Sequence, residues 1–126
     1  MIKTLQDIAN GDVTLLKWGK LVSCVILIGV GDIDFIISID KGRVDNLRKR
    51  VLPLESGVFA IRASEAVWNE YWQILPKRNY HDLFSMFSSG LATIDGDLTL
   101  FMQNLIYFKL LLASPRNRLG DYSSAK

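Results

Sequence analysis

Cysteine and histidine are almost missing from this chain, with Cys24 and His81 the sole examples of each. One thiol forms no internal disulfide, and one thiol plus one imidazole is too small a ligand set for a zinc site. No metal and no cofactor are expected, and a reducing compartment fits best. Long apolar runs are missing too: those at residues 25–30 and 110–113 fall well short of the ~20 residues that span a bilayer as a helix. Lysines ahead of residues 21–30 resemble the start of a signal peptide, but Asp7 and Asp12 precede the run and Gly31-Asp32 follows it in place of a cleavage site. A soluble, cytoplasmic protein is expected. Charge of one sign is also lacking, since 15 Lys and Arg face 13 Asp and Glu. Nucleic acid is therefore not an expected partner.

What remains is apolar. Hydrophobic residues make up 49% of 126 residues against 22% charged, which excludes disorder and allows one domain with a real core. The surplus must face a pocket or a partner.

Ile2, Leu5, Ile8 and Ala9 recur at helical spacing and stop at Asn10-Gly11; Asp12 then caps a second short helix that ends at Gly19. From Lys20 the period becomes two. Residues 20–30 and 33–40, joined by Gly31-Asp32, read as a β-hairpin whose first strand is apolar on both faces. Its outer face calls for cover by a helix or a second subunit. Lys41-Gly42 leads into a short third strand, and Arg48-Lys49-Arg50 reads as a solvated strand edge, with acidic lipid headgroups the other reading. Residues 58–63 form a fourth strand. Ser64 caps a helix with an apolar stripe of Val67, Trp68, Tyr71, Trp72 and Leu75, which Pro76 ends. Leu83, Phe84, Met86 and Phe87 follow on another helix closed by Gly90, then a fifth strand at 91–95. The last helix, 98–113, is apolar nearly all round and must be buried on more than one side, with Pro115 ending it before a polar tail.

Chemistry is hard to find. His81-Asp82 could form a general base, but neighbours on a helix do not face each other, and no Gly-x-Ser-x-Gly elbow supplies a nucleophile. The pair reads as a helix cap or as polar groups at a pocket rim. Asp95-Gly96-Asp97 lacks the remaining ligands of a calcium loop, and Gly29-Val30-Gly31 is followed by a strand where a phosphate loop needs a helix. No catalytic residue is assigned, and no enzyme is expected.

From Leu83 to Phe108 the order of features resembles the sterol carrier protein type 2 domain. An apolar helix ends in Ser89-Gly90, a strand follows at 91–94, and Gly96-Asp97-Leu98 opens a helix carrying Met102. Upstream, two long strands, the Lys41-Gly42 turn, the strand at 58–63 and the Ser64-Glu65 helix with Trp68 fall in the same order. The resemblance covers residues 20–113 and is closest to a stand-alone bacterial relative. It implies an antiparallel five-stranded sheet with helices over one face, an apolar tunnel, and carriage of lipid rather than catalysis. Gln103-Asn104 and the apolar run 108–112 depart from the family pattern.

The expectation is thus an α+β fold: a five-stranded, mainly antiparallel sheet with helices packed over one face, in one domain spanning 1–126. Its core lies at 20–113, with helical cover at 1–19 and a polar tail at 115–126. An apolar ligand, fatty acyl, phospholipid or sterol-like, is expected between sheet and helices against Trp68, Trp72, Phe84, Phe87, Phe101, Met102 and Leu105, with His81 and Gln103 at the rim. Transient membrane contact is a further expectation. So is a homodimer through the sheet face or the flank from Ile106 to Leu112, and the alternative function is an interaction module with a filled core and no lipid.

Overall fold

The hairpin forms where alternation predicts it. A computed structural model describes residues 2–51 and 55–124, apart from the side chains of Lys3 and 117–124. Strands β1 (Cys24–Val30) and β2 (Ile33–Asp40) pair antiparallel with Ile26 opposite Ile37 and Ile28 opposite Phe35. Strand β3 (Arg43–Lys49) adds to β2, and β4 (Phe59–Ala63) pairs with β5 (Ala92–Gly96), both antiparallel. The order is β3-β2-β1-β4-β5, and β1 meets β4 parallel. The sheet is therefore mixed, where the resemblance implied an antiparallel one. A parallel neighbour needs a crossover, and the chain from β3 to β4 has to pass β2 and β1 to supply it.

That crossover explains the two-faced first strand. Leu27 and Ile36 sit opposite each other on the outer face, yet both are buried. Ion pairs fix the crossing chain there: Arg50 and Arg62 each reach Asp34 at 2.6 Å, and Arg48 reaches Glu55 at 2.7 Å. Cover for this face comes from within the chain, so no helix or second subunit is needed at Leu27 and Ile36. The cluster at Arg48 and Arg50 is thus partly committed to carboxylates.

Helices cover the other face. A 3₁₀ turn (Ile2–Thr4) leads into α1 (Leu5–Asn10) and α2 (Val13–Trp18), the latter capped by Asp12, whose carboxylate accepts from the Leu15 N–H at 3.1 Å. Helix α1 also guards the β3 edge. The Asn10 side chain donates to the Val44 carbonyl at 2.9 Å and accepts its N–H at 2.8 Å, while Gln6 donates to the carbonyls of Val44 and Asp45. Helix α3 (Glu65–Tyr71) is capped by Ser64, and α4 (Leu83–Ser88) by Asp82. Ile26, Ile28, Ile37 and Ile61 from the sheet meet Leu5, Trp68, Met86 and Phe108 from the helices in one core.

Two helix ends differ from expectation. Helix α3 stops at Tyr71, well before Pro76, and Leu75 is 88% exposed. The Tyr71 carbonyl, which another turn would have occupied, accepts from the Arg116 guanidinium. Pro115 does not end the last helix, which runs to Ser124. Proline removes the N–H that would bond the Leu111 carbonyl; the Ser114 hydroxyl donates to that oxygen instead, at 2.7 Å. The expected polar tail therefore begins as helix, and residues 125–126 lie outside the described residues.

Candidate ligand groove

The expected single helix over 98–113 is two. Helix α5 (Leu98–Gln103) and helix α6 (Leu105–Ser124) meet at Asn104, whose backbone leaves helical geometry at φ −121°, ψ 34°. Its side-chain amide donates to the Leu100 carbonyl at 3.2 Å, the acceptor its own backbone N–H also uses. Such local bonding by asparagine competes with helix continuity. The break opens a groove of about 430 Å³ lined by Trp18, Met102, Gln103, Asn104, Leu105, Ile106 and Tyr107, a volume within the range of small-molecule sites.

Each wall has a local cause. Trp18 stands at the end of α2, and the next residue, Gly19, lets the ring of Tyr107 approach: a Cβ there would lie 2.4 Å from Tyr107 Cε1. The Tyr107 hydroxyl donates to the Gly42 carbonyl at 2.8 Å, which pins the floor of the groove to the β2–β3 turn. Leu105 is half-buried against the core, whereas Trp18, Met102 and Ile106 are each about half exposed at 53%, 54% and 49%. Groove-lining Tyr107 meets Phe108 at 5.3 Å, and through it a cluster of phenylalanines centred on buried Phe101. Its ring is 5.3 Å from Phe59, 6.1 Å from Phe84, 6.4 Å from Phe87 and 5.9 Å from Phe108, centroid to centroid.

The residues expected at the site divide into three groups. Met102, Gln103 and Leu105 line the groove, and Phe84, Phe87 and Phe101 belong to the phenylalanine cluster. Trp68 and Trp72 are elsewhere: they stack at 5.2 Å in the core, and their indole N–H groups donate to the carbonyls of Gly29 and Leu112, each at 2.8 Å. Trp72 borders a separate cavity of about 180 Å³ with Ile2, Val30, Ile33, Phe35, Glu65 and Asn69. His81 is exposed and does not line the groove; its backbone carbonyl accepts from Arg116. The adjacent Asp82 is occupied, capping the Phe84 N–H at 3.2 Å and pairing with Lys109 at 3.1 Å. That matches the cap reading of the pair.

Trp18, Asn104 and Ile106 were not singled out by sequence as site residues. The available signal was the polar pair Gln103-Asn104 interrupting an apolar helix. The flank from Ile106 to Leu112, expected at a subunit contact, is largely internal: Tyr107, Phe108, Leu111 and Leu112 are buried within the chain and Ile106 faces the groove.

Among the described residues no three His, Cys, Asp or Glu side chains converge as a metal site, and no helix is long and apolar enough to cross a membrane. Burial pushes the half-buried Cys24 thiol up to about 11. Because the thiolate is the reactive form, labelling by maleimide at pH 8 is expected to be at least about tenfold slower in the folded protein than in urea. Equal rates would show an exposed thiol.

No family model matches the chain, and no curated protein does so by sequence. Solved structures do match. The backbone is similar to a crystal structure of sterol carrier protein 2, at 14% identity and a TM-score of 0.73, covering 91% of this chain and 92% of that one. A conserved hypothetical protein from Thermus thermophilus gives 0.70 at 14% identity, covering 92% and 84%. A ubiquinone synthesis protein, UbiJ-SCP2, gives 0.59 at 14% identity, covering 90% and 86%. Five strands in the order β3-β2-β1-β4-β5 with helices over one face are thus the fold of sterol carrier protein 2.

Proposed function

We propose that this protein binds and carries an apolar ligand, a fatty acyl, phospholipid or sterol-like molecule, in the groove at the α5–α6 break, without transforming it. The observation that carries this reading is the grouping of half-exposed Trp18, Met102 and Ile106 around one concavity joined through Tyr107 to the phenylalanine cluster. Exposed apolar residues scattered singly need no explanation, but a rimmed patch does. The likeness to sterol carrier protein 2 supports the same class of ligand. Among the described residues no carboxylate bonds the His81 side chain, and the adjacent Asp82 is committed to the α4 cap and Lys109. That favours a carrier over an enzyme.

Trp18 also supports transient contact with a bilayer surface. It is followed by Leu21, 96% exposed, with Lys17 and Lys20 beside them, and aromatic residues with basic neighbours suit the headgroup region. The filled-core interaction module gains less support, since most of the final apolar flank is used internally. The single reduced cysteine suits a cytoplasmic setting.

Titration with cis-parinaric acid, with a pyrene-labelled phospholipid and with a fluorescent sterol tests the reading, with tryptophan emission as a second readout. Saturable binding of at least one probe is expected. Met102→Asp should weaken it by about tenfold or more, since losing one apolar contact and adding a charge exceeds the roughly 1.4 kcal/mol that a factor of ten represents. The melting temperature should barely move, because Met102 is exposed. Absence of saturable binding by fatty acid, phospholipid and sterol alike, with native mass spectra showing only bare protein, would overturn the proposal.

A further inference from the structure

We infer, resting on the carrier reading, that α5 is the gate of this site and Phe101 its plug: the ring leaves the aromatic cluster to admit the apolar part of the ligand. The groove alone is one-sided, whereas a carried ligand has most of its surface enclosed. The adjoining interior is occupied by Phe101, whose ring touches those of Phe59, Phe84, Phe87 and Phe108. Taking out that one ring leaves a space bounded by four others. Phe84 and Phe87 are themselves only partly buried, so this side of the core is already thin.

Helix α5 is built to move as a unit. It has six residues, and Phe101 is its buried side chain; Leu98 is 47% exposed and Met102 about as much. Swinging it outward uncovers one ring. The N-terminal end of α5 is anchored where β5 closes, with the Asp97 N–H bonded to the Val58 carbonyl at 2.7 Å, and the chain changes direction at both ends. Gly96 precedes it at φ +105°, a region side chains rarely adopt, and Asn104 follows it outside helical geometry. Helix α6 need not move, because Tyr107, Leu111 and Leu112 are buried in the core as well, and of its rings Phe108 is the one that stacks on Phe101. The open form therefore costs the exposure of Phe101 and the two bonds from Asn104 to the Leu100 carbonyl, and a minor population of roughly 0.1–10% is the ordinary range for such a state. Apparent affinity and association rate are then reduced by that fraction, and a truncated plug removes the penalty.

Stopped-flow mixing with cis-parinaric acid, paired with hydrogen exchange on the wild-type protein, tests the gate. Phe101→Ala is expected to raise the association rate on the order of tenfold or more, the reverse of what loss of a contact alone would do. In the unliganded wild type, the amides of Met102 and Gln103, the two in α5 that lie beyond the four N-terminal N–H groups without helical partners, should exchange about a hundredfold faster than those of 107–112, through opening below the global unfolding limit. Binding of the probe should slow them. An unchanged or lower association rate in folded Phe101→Ala overturns the gate while leaving the carrier reading intact. Absence of probe binding to the wild type overturns the carrier reading itself. Should Phe101→Ala fail to fold, exchange decides: amides of Met102 and Gln103 protected as well as those of 107–112, or left unslowed by the probe, overturn the gate.

Discussion

Replacing Trp68 by alanine is expected to cost about 3–5 kcal/mol of unfolding free energy, the usual range for truncating a buried aromatic. The side chain is fully buried, stacks on Trp72 at 5.2 Å and meets Tyr71 edge-on at 5.5 Å. Its indole N–H also donates to the Gly29 carbonyl on β1. Truncation leaves that buried oxygen without this partner, a further penalty of roughly 1–3 kcal/mol where no water replaces it. Domains of this kind have about 5–15 kcal/mol in total, so the variant should sit close to its unfolding midpoint in dilute urea. Circular dichroism against urea measures the shift without relying on tryptophan emission. Trp18→Ala provides the contrast, within about 0.5 kcal/mol of wild type as a surface change, because Trp18 rims the groove instead of filling the core. A cost below about 1 kcal/mol for Trp68→Ala would mean that this indole is not core at all.

Alkaline pH should unfold the protein through two other aromatic side chains. Burial raises the phenols of Tyr71 and Tyr107 well above their ordinary value; the Cys24 thiolate adds to the rise at Tyr107, while Arg116 opposes it at Tyr71. The folded values exceed the unfolded ones, so this contribution to stability is complete below pH ~10 and is lost as pH climbs toward the folded values. Each pH unit in that window removes about 1.4 kcal/mol per tyrosine that stays protonated only when folded. Two such groups lose roughly 5 kcal/mol by pH 12 on that arithmetic. Cys24, raised to about 11, acts in the same direction from pH ~8.5 upward. Melting temperatures from pH 9 to 11.5 should fall accordingly, and Tyr107→Phe should flatten the fall by about a third, as one of three contributing groups. That variant also loses the bond to Gly42, about 1 kcal/mol at neutral pH. An unchanged slope in Tyr107→Phe would show that its phenol ionises freely in the folded state.

What sequence made legible was governed by local interactions. The hairpin, the turn at Lys41-Gly42 and the caps at Asp12, Ser64 and Asp82 each depend on residues within a few positions, and each stands where spacing puts it. The parallel β1–β4 pair is non-local, and its crossover passes through a stretch with no periodic signal. The break at Asn104 is local but weak, because one side-chain amide competes with an apolar pattern on both sides. Helix α3 ended early because of a residue 45 positions away, Arg116, and the last helix ran through Pro115 because Ser114 supplied the missing donor. Periodicity marked Phe101, Met102 and Leu105 as apolar helix positions without telling which would be buried and which would line a groove. It could not separate Trp68 and Trp72, whose indoles are held by backbone carbonyls, from the side chains that line the groove at the α5–α6 break.

The clamp that Gln6 and Asn10 place on β3 has a consequence for how this molecule fails. Their amides take the positions a neighbouring strand would use at Val44 and Asp45, so the start of that edge is blocked by two side chains rather than by another strand. Loss of α1 would therefore do more than remove Leu5 and Ala9 from the core. It would uncover a strand able to template a second molecule, and a truncation that looks like a folding defect would emerge as polymerisation, its severity rising with protein concentration.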